Sequence, residues 1–247
     1  MFNFNQNNNF NFAGQDTQTV AVPRTFIANV FSWMAIALSI TAFFAYYFST
    51  SKVFFDTLYT QSSAGGTAMS GLGWVVMLAP LAIVLIMSFG FNKFSSLVLT
   101  ILFLAYAFLM GMSLSFVFLV YTGSSIYLTF AVTAGTFGVM AFAGYTTKID
   151  LAKFGSIMFM GLIGIIIASV VNAFLGSQQL DWIISIAGVL VFTGLTAWDV
   201  QKLKRIGSGV QFGSESAKKL VIMGALTLYL DFINLFLFML RFMGNRK

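Results

Sequence analysis

The sequence predicts an all-α membrane protein whose seven transmembrane helices form one bundle, and three observations carry that prediction. Hydrophobic residues make up 59% of the chain and charged residues only 8%, where a soluble domain carries about 25% charged residues. The apolar residues gather into seven runs, each long enough to cross a bilayer, since a spanning helix needs roughly 20 mainly apolar residues. The cations fall between these runs with a strong bias to one side. Cysteine and histidine are both absent. That excludes disulfides, thiolate metal sites and thiol nucleophiles, together with the usual imidazole switch near neutral pH. Proton sensing in that range would fall to carboxylates.

Residues 1–24 read as a disordered cytoplasmic tail. The stretch MFNFNQNNNFNF is polar, rich in Asn, Gln and Phe, and has no period that could bury a face. It is not a signal peptide, because it lacks a basic n-region and the apolar run after it is too long. Residues 25–247 form the transmembrane domain. The first span runs from Phe26 to Thr50, and a loop containing Ser and Gly, Ser51 to Gly71, follows with Lys52 and Asp56. The second span, Leu72 to Phe91, holds Pro80, which lacks a backbone donor and is expected to kink the helix. The link Asn92–Ser96 leads to the third span, Leu97 to Tyr121, and a TGSS turn to the fourth, Ile126 to Thr146. The fifth covers Phe154 to Leu175, the sixth Trp182 to Leu203, and the seventh Val221 to Phe242. Small-xxx-small pairs at Ala131/Gly135, Ala134/Gly138 and Gly164/Ala168 are expected to let helix backbones approach closely.

The cations set the orientation. Arg24, Lys93, Lys148, Lys153, Lys202, Lys204, Arg205, Lys218 and Lys219 lie on the side of the N-terminus, whereas Lys52, Arg246 and Lys247 lie on the other. Such an asymmetry puts the N-terminus in the cytoplasm and, after seven crossings, the C-terminus outside. The net charge of +6 is thereby explained as topology. Anionic lipid headgroups of the bilayer are the expected partners of the loop between spans six and seven. Nucleic acid is not, because the cations form no separate polar domain.

The first five spans contain no charged residue. Asp231 lies near the middle of the seventh, where a carboxylate costs roughly 2.5–3.5 kcal/mol on insertion scales, so it must face the bundle interior. The only other acid in an apolar run is Asp199, near the cytoplasmic end of the sixth. Two carboxylates sharing a low-dielectric site cannot both ionise cheaply, and such a pair holds one proton between them. The same hard oxygens suit calcium, so a proton and a divalent cation would compete for them. Intramembrane acids mark ion and proton pathways. The blander alternative has Asp199 snorkelling to the interface beside Lys202, with Asp231 merely hydrogen-bonded to nearby helices. Asn234 projects on nearly the same face as Asp231 and could supply a carbonyl ligand or orient the carboxylate. Arg241 shares that face too, but about 15 Å along the axis, so it is expected to anchor the outer interface instead. Thr196 shares a face with Asp199 and donates either to it or to its own helix backbone. No tightly bound cofactor is expected; calcium is the expected permeant ion.

The segments that hold these residues, LTAWDVQKLKRI and GALTLYLDFINLFLFMLRFMG, resemble the signature segments of the Bax-inhibitor-1 family of seven-helix membrane proteins. With span count and orientation included, the resemblance extends over residues 25–243. It implies two three-helix layers around a central seventh helix, and a pH-sensitive calcium leak with Asp199 and Asp231 as the proton-sensing pair. Family members can carry a basic latch residue in the second span. This chain has none there, and Lys93 just beyond that span is the nearest substitute. Three rival readings stand beside it. An intramembrane aspartyl protease would also pair two aspartates, but its glycine motif is missing around Asp231. A retinal receptor needs a lysine in the seventh span, which has none. A non-transporting interaction protein would bind other membrane proteins and leave liposomes calcium-tight. A bacterial plasma membrane is the expected location.

Overall fold

The computed structural model describes residues 15–61, 67–211 and 213–247. Its elements in order are helix α1 (Gln15–Thr50), the short α2 (Lys52–Leu58), strands β1 (Tyr59–Gln61) and β2 (Thr67–Met69), α3 (Gly71–Gly90) and α4 (Ser96–Leu114). There follow the single turn α5 (Val117–Val120), α6 (Gly123–Thr146), α7 (Ala152–Leu175), α8 (Gln178–Gly209) and α9 (Glu215–Met243). Among the described residues, seven helical segments are long and apolar enough to cross a membrane, with α5 continuing the α4 span. The predicted all-α membrane fold is the fold found, apart from one antiparallel hairpin in which Tyr59 pairs with Met69 and Gln61 with Thr67.

The boundaries differ from the sequence reading in four places. Helix α1 already includes residues 15–24, which composition assigned to the tail; extending an existing helix costs far less than starting one. Residues 1–14 of that tail lie outside the described residues. The first loop folds into α2 and the hairpin. The third span breaks after Leu114, where the Ser115 hydroxyl donates to Met112 O at 2.7 Å. Helices α8 and α9 both run past their apolar cores into polar sequence, to Gly209 and back to Glu215. Serine N-caps explain where several helices start. Ser70, Ser95, Ser177 and Ser214 each accept from a backbone N–H one turn into the helix that follows. Helix α7 stops at Gly176, whose φ of 62° suits a residue without a Cβ.

Helix α9 packs against α1 and α4 and also against α6 and α8, while α8 itself touches α1, α6, α7 and α9. These two are the most enclosed spans, and α3 and α7 are the most exposed to lipid. Val30, Leu99, Phe103, Tyr106, Leu228 and Tyr229 fill the centre. There the Thr41 hydroxyl donates to Ala107 O at 2.8 Å, so the Tyr229 hydroxyl must donate to Thr41 Oγ1, at 2.7 Å.

The small-residue pairs do not do what their spacing led us to expect. Ala131, Ala134, Gly135 and Gly138 face outward, and the space beside Gly135, Gly138 and Gly164 is open. Close approach occurs instead where Gly144 of α6 meets the Ala197 backbone of α8 and where Gly111 of α4 meets Thr41 of α1. Spacing permits contact, but only the position of the core decides which face receives it.

Polar contacts close both ends. At the end rich in cations, buried Gln201 staples the α6–α7 link: its Oε1 accepts from Leu151 N–H at 2.9 Å and its Nε2 donates to Ile149 O at 2.7 Å. At the opposite end, residues 244–247 fold back beside α5. Thr122 N–H donates to Asn245 O at 3.1 Å and Lys247 N–H to Val120 O at 2.9 Å.

Candidate functional site

Asp199 on α8 and Asp231 on α9 are 7% and 5% exposed. Their carboxyl groups lie within hydrogen-bonding reach of each other. The helix register explains how. The Leu203 side chain lies on Gly224 and the Phe238 ring on Gly188, each so close that a methyl group on the glycine would collide. That register sets Asp199 level with residues 227–228, about one turn, or ~5 Å, from the level of Asp231. Every Cα–Cβ bond tilts toward its helix N-terminus, and these two helices are antiparallel. The two side chains therefore lean toward each other and close the offset. Neither carboxylate is a donor when ionised, so the contact becomes a hydrogen bond only once the pair carries a proton. Asp231 Oδ2 is buried without a hydrogen-bond partner.

The pair opens into a cavity of about 640 Å³ between α7, α8 and α9. Its polar lining comprises both aspartates, Asn234, Thr227, Ser169 and Lys202; the remaining lining is apolar. The Asn234 amide donates back to Leu230 O at 2.8 Å, which leaves its carbonyl oxygen as a free acceptor. Thr227 donates to Met223 O at 3.0 Å and keeps acceptor capacity. The cavity thus offers mainly hard oxygen acceptors, the ligand type that calcium prefers. No cluster of three or more acidic or other metal-ligating side chains occurs among the described residues. The site therefore offers fewer protein ligands than a closed calcium cage of 6–8 oxygens, and water would have to complete the shell of an ion passing through.

The other residues singled out in the sequence fall elsewhere. Thr196 is fully buried and donates to Phe192 O at 2.8 Å, not to Asp199. Arg241 pairs with Asp181 at 3.3 Å, at the end opposite the cation cluster, and lies over the Phe238 ring. Lys93 is exposed in the α3–α4 link and does not line the cavity. The cation that does is Lys202, whose ammonium sits 5.0 Å from the centroid of the Trp198 ring. The spacing of Trp198, Asp199 and Lys202 on one helix was the available signal for this, since residues three and four apart are neighbours.

A family model described as "Inhibitor of apoptosis-promoting Bax1" matches residues 23–247. The chain belongs to the Bax-inhibitor-1 family. Among similar members, the inner membrane protein YbhL of Escherichia coli (strain K12) is 47% identical over 225 residues, covering 91% of this chain and 93% of its own. An uncharacterized protein of Borreliella burgdorferi is 44% identical over 233 residues, covering 94% of this chain and 97% of its own. Uncharacterized protein RP147 of Rickettsia prowazekii is 43% identical over 224 residues, with 91% of each chain covered. None of these descriptions names an enzyme. The match to the Bax-inhibitor-1 family takes in all seven spans and both buried acids.

Proposed function

We propose that the chain is a passive, proton-gated leak pathway for calcium, with Asp199 and Asp231 as its proton-sensing and ion-binding pair. One observation carries the reading: two buried carboxyl groups within reach of each other share a largely apolar cavity between α7, α8 and α9 whose few polar groups are mainly oxygen acceptors. Protons and calcium compete there for the same oxygens. A change in occupancy alters what α8 and α9 can tolerate at their contact, and so biases an open–closed equilibrium. Asn234 contributes a carbonyl ligand, and Arg241 anchors the outer end. The relative YbhL is named as an inner membrane protein, and we assign this chain to the same membrane. The cation-rich end faces the cytoplasm by the positive-inside rule.

Calcium flux into proteoliposomes at several pH values tests this directly. The wild type should leak with a rate that changes with pH, and Asp199→Asn and Asp231→Asn should each flatten the profile. A pH profile that ignores both substitutions would refute the gating. A second reading, a non-transporting protein that binds other membrane helices, draws on the bare small-residue face of α6 at Ala131, Ala134, Gly135 and Gly138. It requires liposomes that stay calcium-tight. In neither reading does the pair perform bond chemistry; cleavage of a reporter span, lost on changing either aspartate, would point to a protease instead.

A further inference from the structure

The cavity contains its own cation. On α8, Lys202 stands four residues after Trp198 and three after Asp199, and both spacings make helix-surface neighbours. Its ammonium is a compact charge on a flexible four-carbon stem, so it can reach either one. Here it lies over the indole, 5.0 Å from the ring centroid, and forms no ion pair with either carboxylate. The indole is a fixed platform, because Gly155 of α7 lies so close against it that a Cβ there would collide with the ring. Lys204 points away, donating to Tyr145 O at 2.8 Å. Among the described residues, Lys202 is thus the only cation lining the cavity.

We propose that Lys202 is a tethered competitor: its ammonium rests on Trp198, swings on its flexible stem toward the carboxylate pair, and competes there with an entering ion. This rests on the reading of the cavity as a cation path. A tethered group acts at an effective concentration of about millimolar or above. A monovalent ion carries no more charge than the ammonium it must displace, whereas a divalent ion is attracted twice as strongly at the same distance. Lys202 therefore makes the cavity selective for divalent cations.

The test uses the full chain, with calcium binding measured by titration in detergent and calcium and potassium fluxes measured in proteoliposomes at one pH. Lys202→Gln should tighten calcium binding by about 5–30-fold, the factor set by one or two kcal/mol, and should raise potassium flux relative to calcium. Lys202→Arg should keep the wild-type ion preference. Trp198→Leu removes the resting seat of the ammonium and should weaken calcium binding. Lys204→Gln should change neither. If Lys202→Gln behaves as wild type while Asp199→Asn and Asp231→Asn lose calcium binding, the competitor role is overturned and the cation path stands. If the aspartate variants bind calcium as before, the path itself fails, and the role of Lys202 with it. Should Lys202→Gln not fold, Trp198→Leu decides, and unchanged calcium affinity in that variant overturns the proposal.

Discussion

Helix periodicity places Thr196 beside Asp199 and Asn234 beside Asp231, yet the two polar side chains do different things. The Thr196 hydroxyl is consumed by Phe192 O on its own helix. Asn234 lines the cavity, spends only its amide on Leu230 O and keeps its carbonyl oxygen as an acceptor. Asn234→Leu should therefore weaken calcium binding by about tenfold, the loss that goes with one ligand contact worth ~1.4 kcal/mol, as read by titration. Thr196→Val should leave calcium affinity and the pH profile unchanged and cost at most about 1 kcal/mol of stability, the usual net worth of one hydrogen bond. Equal effects of the two on calcium affinity would contradict this assignment. The aspartates were legible in the sequence because a charge inside an apolar span is costly wherever it lies. The hydroxyl was not, because its choice between neighbour and backbone depends on what surrounds it.

At the level of elements, hydropathy located all seven spans, because the solvent dictates the length and composition of a spanning helix. It located neither their polar extensions nor their contact faces. Lipid and helix neighbours are equally apolar, so hydrophobicity leaves the inward face unmarked. Glycines make the difference measurable. A methyl group on Gly144 would press into the Ala197 backbone, which cannot swing aside as a side chain can. Gly144→Ala should lower stability by about 1–3 kcal/mol, the range for overpacking. Beside Gly135 and Gly138 the space is open, and alanine there should be neutral or stabilising by up to about 1 kcal/mol through helix propensity. Thermal unfolding in detergent separates the two cases; a destabilised Gly135→Ala would mean that this face of α6 is covered.

On the scale of the whole molecule, the cavity depends on α7 as its outer wall, and α7 is joined to the bundle chiefly through α8. The α6–α7 link reinforces that attachment at the cation-rich end. Asp150 Oδ1 accepts from Arg205 Nη2 at 2.6 Å and from Ala152 N–H at 2.9 Å. The Arg205 guanidinium, with the Ala152 amide, holds the Asp150 carboxyl below the usual carboxylate range. A group whose folded-state pKa is depressed contributes stability above its unfolded value and loses it as pH falls through the folded one. Acidification should therefore loosen residues 147–152 only below the ordinary carboxylate range, well away from neutrality. Hydrogen exchange can read this, because local opening of a link is faster than global unfolding. At neutral pH the link should be better protected in wild type than in Asp150→Asn, and the two should converge in acid. Asp150→Asn should leave any pH dependence of calcium flux near neutrality in place, since the cavity carboxyls lie on α8 and α9. If it erases that dependence, the proton sensor is the surface ion pair and not the enclosed one.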